Sequence, residues 1–244
     1  MSITIRSAQT IGNGVKLRGN DTQYVTPADP LSRLFELDAS IYASGTTLLD
    51  ISGNNRHATI HGSTSWNSNA GGCFVFNGNE LDYIDVTGSD ILSNAPANAT
   101  FSVWANIAGI SDYQHIAGWR GGINFWFLIL SGQSTTEARF DNGPNYDIGM
   151  DYTPYYGTWA LTTFVVNAAQ SYTKLYINGT EVGSRSGMSG NFATGNNLFS
   201  LGARTNGGGF PMTGKIGGAV AYSKALTQEE VTAEYNRTKS RYGL

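Results

Sequence analysis

Short segments of apolar and aromatic residues recur between glycine- and asparagine-rich turns along most of the chain. Within the segment 101–107, Phe101, Val103 and Ala105 occupy alternate positions, which is the two-residue period of a β-strand. Asn178-Gly179 separates two further segments of this kind, and Asn-Gly strongly favours a β-hairpin because both residues tolerate positive φ. Many short strands joined by tight turns predict an all-β sandwich or barrel.

The end of the chain has a different pattern. Thr227 and Glu230 stand three residues apart at the start of a helical period, so that each side chain can bond the backbone N–H of the other as a capping box. Leu226 and Val231 hold the two positions of a hydrophobic staple, and Val231 and Tyr235 share one helical face. The sequence therefore predicts one short C-terminal helix on an otherwise β chain.

Composition excludes several classes of partner. The formal net charge is −3 and charged residues make up 14% of the chain, so we expect no nucleic acid partner, since phosphate backbones are bound by basic surfaces. No apolar segment is long enough to cross a bilayer, which predicts no membrane insertion. The lone Cys73 cannot form an intrachain disulfide, and the first 20 residues lack the continuous apolar core of a secretory signal peptide.

Residues 1–30 differ from the rest because Ile3, Ile5 and Ile11 are separated by small and polar residues. This composition holds too few large side chains for a core and predicts an extended N-terminal arm, residues 1–30, ahead of one domain, residues 31–244. The arm could add a strand to a neighbouring chain, or it could pack along its own domain.

Several segments, taken in order, resemble the laminin-G-like, concanavalin A-like domains. The resemblance covers about residues 31–244 and implies an all-β, two-sheet antiparallel jelly-roll sandwich with a curved concave face, closed here by the C-terminal helix. The segments that carry it are Leu34-Phe-Glu-Leu-Asp-Ala-Ser40, Leu49-Asp-Ile-Ser-Gly-Asn-Asn55, Phe74-Val-Phe-Asn-Gly78, Tyr83-Ile-Asp-Val86, Phe101-Ser-Val-Trp104, Lys174-Leu-Tyr-Ile-Asn-Gly179, Gly214-Lys-Ile216 and the closing stretch from Ala221 to Leu244.

The family includes glycan-binding modules and domains of bacteriophage virion proteins. The ending Ser240-Arg-Tyr-Gly-Leu244 and the thin arm look most like the phage branch. The resemblance thus implies a non-enzymatic structural protein on the virion surface, either a capsid decoration or a tail-fibre component, with a lectin-like domain. Its expected partners are other virion proteins, through the arm, and cell-surface glycans, and a homo-oligomer is a candidate assembly. The alternative is a free carbohydrate-binding module.

A second alternative is a retaining glycan hydrolase, because retaining glycanases of this fold carry Glu and Asp residues along one strand. Glu80 and Asp82 would share a strand face, whereas Asp85 would join them only across a bulge. A retaining pair needs carboxyl groups about 5–5.5 Å apart. The other interpretation is a solvated strand edge, which we favour, so no catalytic residue is predicted.

Metal ligands are not expected. Asp50, Ser52 and Asn54 place oxygens at alternate positions, as a calcium loop would, but Asp followed by Ser-Gly-Asn is also an ordinary turn, the favoured interpretation. The family often has acidic residues near a structural calcium just after its Gly-x-Ile step, where this chain has Gly217 and Gly218. This departure argues against calcium, and no cofactor is predicted.

The three histidines do not form a recognisable site. His57 and His61 are four residues apart, but the intervening residues favour a strand, on which this spacing does not bring two side chains together as it does on a helix. No cysteine or carboxylate completes a zinc set. His115 has no evident Ser or Asp partner in the sequence, so a catalytic triad is not predicted.

Aromatic residues give the strongest indication of glycan binding. Sugar rings stack their apolar C–H faces on aromatic planes, while their hydroxyls need a few polar partners. Trp104, Trp126 and Trp159 fall inside predicted strands and are more typical of core residues. The residues predicted to contact a glycan, on or near predicted loops, are Trp119, Arg120, Tyr146 and Tyr155.

Overall fold

A computed structural model describes residues 10–11, 14–15, 32–86, 98–109, 113–120, 124–129, 135–141, 148–187, 198–204 and 209–244. The strands are β1 (Thr10–Ile11), β2 (Gly14–Val15), β3 (Arg33–Asp38), β4 (Thr47–Leu48), β5 (Ala58–Ile60), β6 (Ser65–Asn67), β7 (Cys73–Asn77), β8 (Ile84–Val86), β9 (Asn98–Ile107), β10 (Gln114–Arg120), β11 (Asn124–Ile129), β12 (Thr135–Asp141), β13 (Ile148–Asp151), β14 (Trp159–Asn167), β15 (Tyr172–Ile177), β16 (Thr180–Ser186), β17 (Leu198–Leu201) and β18 (Thr213–Tyr222). Helix α1 spans Gln228–Thr238 and continues as a 3-10 turn over Lys239–Tyr242.

The strands form two large antiparallel sheets. The front sheet has the order β13-β12-β11-β10-β17-β8-β5-β4, and the back sheet has the order β16-β15-β14-β9-β18-β7-β6. Strand β3 pairs with β18 over Gly218–Tyr222, on the side where β7 pairs with Thr213–Ile216. The predicted all-β, two-sheet antiparallel sandwich with a short C-terminal helix is confirmed.

The core lies between the two sheets and follows from the alternation seen in the sequence. Phe101, Val103 and Ala105 on β9 are fully buried in one apolar cluster, together with Phe199 of the front sheet. The predicted hairpin is also present, since β15 and β16 pair Ile177 with Thr180 and both turn residues have positive φ. Local sequence patterns therefore placed the strand faces and this turn.

Helix α1 packs on the outer face of the back sheet. Thr227 accepts from the Glu230 N–H at 3.3 Å, and the Glu230 carboxylate accepts from the Thr227 N–H at 3.0 Å, which completes the predicted capping box. Leu226 and Val231 are buried against Val220 and other residues of β14, β15 and β18. No helix among the described residues is long and apolar enough to cross a membrane.

The described part of the arm is a short hairpin. Strands β1 and β2 pair Thr10 with Val15 and Ile11 with Gly14, in a two-stranded sheet of their own. The rest of residues 1–31 lies outside the described residues. The division into an arm of residues 1–30 and a domain of residues 31–244 therefore stays a prediction.

Candidate functional site

One row of residues crosses the outer face of the front sheet from strand to strand. Strands lie about 4.8 Å apart, so a row over seven strands extends about 29 Å. We call it the polar row; in spatial order it comprises Thr47, Thr59, Asp85, Ser200, Gly118, Trp126 and Arg139.

The register row beside the polar row has the opposite chemistry. Its described members are buried in the core between the sheets. Because successive residues of a strand point to opposite faces, this apolar row assigns the described side chains of the polar row, those of Thr47, Thr59, Asp85 and Ser200, to the outer face. The apolar row comprises, in the same order, Leu48, Ala58, Val86, Phe199, Trp119, Phe125 and Phe140.

A histidine and a tyrosine lie beside Asp85. His61 follows β5, and its backbone N–H donates to the carbonyl of Tyr83 at 2.9 Å. The two rings stack with centroids 4.2 Å apart. Nε2 of His61 lies 3.2 Å from Oδ1 of Asp85, although the alignment is not that of a hydrogen bond. This fixed imidazole and carboxylate are both partly exposed, and they present an aromatic edge and an acceptor to solvent.

His115 has a partner that the sequence did not reveal. Its Nε2 lies 3.0 Å from Oγ of Ser200 and 3.3 Å from the Ser200 carbonyl oxygen. The expectation that His115 lacks a serine partner is therefore wrong, because β10 and β17 pair residues distant in the chain. Both residues are almost fully buried, at 0% and 1% exposure. The pair is closed to a substrate, and it holds the centre of the polar row.

Trp119, a predicted glycan contact, is a core residue. Its side chain is 1% exposed, and its ring centroid lies 4.6 Å from that of Phe199 and 6.1 Å from that of Phe101. Strand alternation turns Trp119 inward, so no face of its indole is open to a sugar in the folded domain. Arg120, the next residue, pairs in the register with Leu198 and Asn124, and its side chain lies outside the described part of the structure.

Of the two predicted tyrosines, the structure describes Tyr155. Tyr155 ends the 3-10 turn Thr153–Tyr155, is half-buried, and packs 5.1 Å from Tyr152. Burial raises the pKa of Tyr152, and burial together with the Asp151 carboxylate raises the pKa of Tyr156 to about 12. These two phenols are therefore protonated at neutral pH. Tyr146 lies outside the described residues, and its predicted role stays a prediction.

Glu80 and Asp82, the carboxylates that the hydrolase alternative requires, are not arranged as a catalytic pair. Asp82 is 3% exposed, and its Oδ1 accepts from the backbone N–H of Ser63 at 2.7 Å and from the Ser63 hydroxyl at 3.1 Å. Glu80 is exposed and precedes the first residue of β8, so Glu80 and Asp82 do not share a strand face. The interpretation as a solvated edge holds for Glu80, whereas Asp82 anchors the turn at residues 62–64.

Asp50 forms a turn rather than an open calcium loop. Its Oδ1 accepts from the N–H groups of Glu36 and Ser52, and its Oδ2 accepts from the Ser52 hydroxyl and the Arg56 N–H. The Asp50 N–H donates to Nδ1 of His57 at 3.1 Å. Four donors therefore engage this carboxylate, and the turn interpretation is confirmed. The described residues contain no group of three or more His, Cys, Asp or Glu side chains suited to a metal.

Gly217 and Gly218, at positions where the resemblance implies acidic residues, serve the packing of the C-terminus. A Cβ on Gly217 would lie 2.4 Å from the Tyr242 hydroxyl, and one on Gly218 would lie 2.6 Å from the Leu37 carbonyl oxygen. Larger residues here would displace the last turn of the chain or strand β3.

The polar row as a unit is not apparent from the sequence, in which Asp85 is a candidate catalytic carboxylate and Thr59 and Ser200 resemble other polar strand residues. Five of the seven strands carry a signal, a polar residue that adjoins apolar residues of the strand. The row becomes visible only when the register aligns seven strands.

Comparison with known proteins gives a family and a fold. Residues 77–232 match Laminin G 3, the concanavalin A-like lectin/glucanases superfamily. Similar solved structures include the receptor-binding domain of botulinum neurotoxin C/D mosaic serotype, with a TM-score of 0.68, 19% identity, and coverage of 86% of this chain and 52% of that chain. The binding domain of Paraclostridial Mosquitocidal Protein 1 has a TM-score of 0.68 and 17% identity, over 85% of this chain and 52% of that chain.

The receptor-binding domain of botulinum neurotoxin D is similar at a TM-score of 0.67 and 20% identity, over 85% of this chain and 53% of that chain. The chain thus spans about half the length of these structures, and at such identities the likeness concerns the fold. No curated protein matches the chain.

Proposed function

Because the chain belongs to the concanavalin A-like lectin/glucanases superfamily, we propose that its domain binds glycans through the polar row without cleaving them. The observation that carries this proposal is the register of the front sheet, which aligns hydroxyl, carboxylate, indole and guanidinium residues along about 29 Å. Because Ser200 at the centre of the row is closed to solvent, the part of the row open to a sugar is the end formed by Thr47, Thr59 and Asp85.

Each kind of residue in the row has a role in sugar recognition. The Asp85 carboxylate accepts hydrogen bonds from sugar hydroxyls, and charge-assisted bonds of this kind are the stronger ones. Thr47 and Thr59 both donate and accept. An indole at the register position of Trp126 and a guanidinium at that of Arg139 belong to the residue types that line sugar sites.

The residues predicted from the sequence enter this proposal differently. Arg120 adjoins the polar row on β10 and keeps its predicted role in glycan binding. Tyr146 and Tyr155 are peripheral candidates at the loops. Trp119 contributes from the core, where its packing holds β10 in place.

The absence of catalysis is part of the proposal. Asp82 is engaged with Ser63, and Ser200 and His115 are closed to solvent. Both arrangements support binding rather than hydrolysis. A screen on β-glucans, agarose and carrageenan should reveal no new reducing ends. Cleavage that disappears in Glu80→Gln would overturn this part.

We further propose that the domain is displayed on a bacteriophage virion, as a capsid decoration or a tail-fibre component, and that the arm attaches it to other virion proteins or to sister subunits. The support is the resemblance of the arm and of residues 240–244 to the phage branch of the family. A free carbohydrate-binding module is the alternative. A native mass equal to one chain, with no virion protein bound, would favour that alternative.

The binding proposal is tested with a glycan array that includes bacterial surface polysaccharides. Asp85→Ala should weaken binding about tenfold or more, since a hydrogen bond to a charged group contributes about 1.5–3 kcal/mol. Glu80→Ala removes an exposed carboxylate outside the row and serves as the matched control. Unchanged binding in Asp85→Ala, or equal losses in both variants, would contradict a site at the polar row.

A further inference from the structure

Trp66 occupies the outer end of an inward-facing row of the back sheet. It pairs with Phe74 on β7, and the row continues through Ile216 and Ala105 to Ala160. Phe74 is 2% exposed, whereas Trp66 is 39% exposed. Since β6 is the edge strand of this sheet, the core encloses every other member of the row and leaves the indole partly open to solvent.

A hydrogen bond to a buried backbone carbonyl fixes the orientation of the Trp66 indole. Its Nε1–H donates to the carbonyl oxygen of Ala39 at 2.8 Å. Ala39 is buried and begins a 3-10 turn that Asp38 caps, with its Oδ1 accepting from the Ser40 N–H at 2.7 Å. A Cβ on Gly72 would lie 2.8 Å from the same carbonyl oxygen, so glycine lets the chain before β7 pack against it. The acceptor is thus held rigidly.

Tyr42 provides a second ring beside the indole. The ring centroids of Tyr42 and Trp66 lie 6.2 Å apart at an interplanar angle of 42°, and Tyr42 packs edge-on against Phe74 at 5.1 Å. The Tyr42 hydroxyl donates to the Gly45 carbonyl oxygen at 2.6 Å. Both rings therefore use their polar atoms within the protein, and what they offer a ligand is ring surface.

The chain on either side of Trp66 is polar, and the nearby Asp38 carboxylate is paired. Ser65 and Asn67 flank Trp66 on β6, and Asn69 follows, its N–H donating to Oδ1 of Asn67 at 2.8 Å. The nearby Asp38 carboxylate is engaged by the Ser40 N–H and by Arg241. A rigid aromatic face complements the flat apolar face of a sugar ring.

We propose that Trp66 and Tyr42 form a second carbohydrate-binding site, which takes the apolar face of a neutral pyranose ring. It shares the ligand class of the proposed function but none of the residues of the polar row. Each site can therefore fail without the other.

The test uses the full chain with 15N-labelled tryptophan, titrated with maltohexaose, cellohexaose and chitohexaose as probes. The indole N–H signal of Trp66 is assigned by its loss in Trp66→Phe. At least one probe should shift this signal saturably at millimolar concentration. Trp66→Ala should weaken binding of that probe about tenfold or more, and Trp66→Phe should weaken it less, since a smaller ring still stacks.

Two control variants separate this site from others. Asp85→Ala should leave the Trp66 titration unchanged, which distinguishes failure here from failure of the polar row. Tyr113→Ala removes another exposed aromatic residue, 41% exposed, and should also leave it unchanged. No shift of the Trp66 signal with any probe would overturn the proposal. A change of native mass in Trp66→Ala without such a shift would identify a protein contact and overturn it as well.

Discussion

The outer faces of the two sheets differ in how much of them the rest of the chain covers. The outer face of the front sheet carries the polar row, with partly exposed side chains at Thr59 and Asp85. The outer face of the back sheet carries Trp104, Leu161 and Val220, which are buried under the C-terminal helix and the turn after it. The front sheet therefore leaves the part of its outer face around Thr47, Thr59 and Asp85 open to a ligand, while the back sheet uses its outer face for stability.

The covered face is held by aromatic stacking and by ion pairs. Trp104 and Tyr242 stack with centroids 4.1 Å apart, and Trp159 lies 4.8 Å from Tyr242. Arg237 bridges the carboxylates of Glu36 at 2.7 Å and Glu234 at 2.6 Å. The comparison teaches that an outward tryptophan is not by itself a ligand contact, because a later segment of the chain can cover it.

A cavity of about 210 Å³ remains between α1 and the back sheet, lined by Glu36, Glu234, Arg237 and Arg241 among others. It is smaller than usual ligand pockets of about 300–1,000 Å³, and these four charged side chains are paired within the protein. The cavity is therefore a polar gap in the interface between α1 and the back sheet rather than a ligand pocket.

Alkaline pH should disrupt the packing of the C-terminal helix on the back sheet. We expect this to be the largest loss of stability among the predictions. Burial raises the pKa of Tyr222 and Tyr242, and raises that of Tyr176 to about 12. In the unfolded chain these phenols lose their protons near pH 10, so above that pH the folded state binds more protons and stability falls as pH rises towards 12. Circular dichroism and tyrosinate absorbance measure this. Titration of all tyrosines near pH 10 in a still folded chain would contradict their burial.

Trp104→Ala should destabilise the domain by about 3–5 kcal/mol, the range for removing a large aromatic side chain from a packed site. Thr59→Ala on the open face is the matched comparison and should cost less than about 0.5 kcal/mol. Urea unfolding at constant m-value measures both. Equal losses of stability in the two variants would contradict the conclusion that the back sheet's outer face is packed and the front sheet's outer face is open at Thr59.

Arg241→Ala should cost about 2–3 kcal/mol. Its guanidinium donates to the carbonyl oxygens of Ala70 at 3.0 Å and Gly217 at 3.1 Å and pairs with Asp38, so truncation leaves partly buried acceptors unpaired. Arg241→Lys should not restore stability, because a lysine cannot reproduce the planar set of donors. Thermal melting checks both variants, with Lys239→Ala as the nearby control. A fully stable Arg241→Ala would exclude this anchoring role.

Thr227→Ala should lower stability by about 1 kcal/mol through loss of the capping box. Thr227→Ser keeps the hydroxyl and should melt close to the wild type. An unchanged melting curve in the alanine variant would show that packing of Leu226 and Val231 alone sets the start of α1.

Removal of residues 1–25 should have the smallest effect on the melting transition and should abolish attachment to the particle or to sister subunits. A two-stranded hairpin such as β1 and β2 is at most marginally stable alone, so it contributes little to the sandwich. Failure of the truncated chain to fold would make the arm an intrinsic part of the domain. Melting and native mass distinguish these outcomes.

Trp119 shows the limit of prediction from the sequence. Its position near a predicted loop suggests a glycan contact, whereas the register places it in the apolar row and its side chain is 1% exposed. Alternation along a strand separates its two faces, but it does not say which face meets the partner sheet. His115 and Ser200 illustrate the same limit, since their contact depends on two strands becoming neighbours.

By itself the sequence determined the elements whose causes are local: the alternating strands, the Asn178-Gly179 hairpin, the Asp50 turn and the capped helix at Thr227. These depend on contacts within a few residues, where backbone preference and side-chain hydrogen bonding decide. Only the tertiary structure decided which outer face α1 covers, which residues align in the polar row, and that Trp66 stays exposed at an edge. Those outcomes depend on the pairing of distant strands, because exposure is a property of what lies opposite a residue in space.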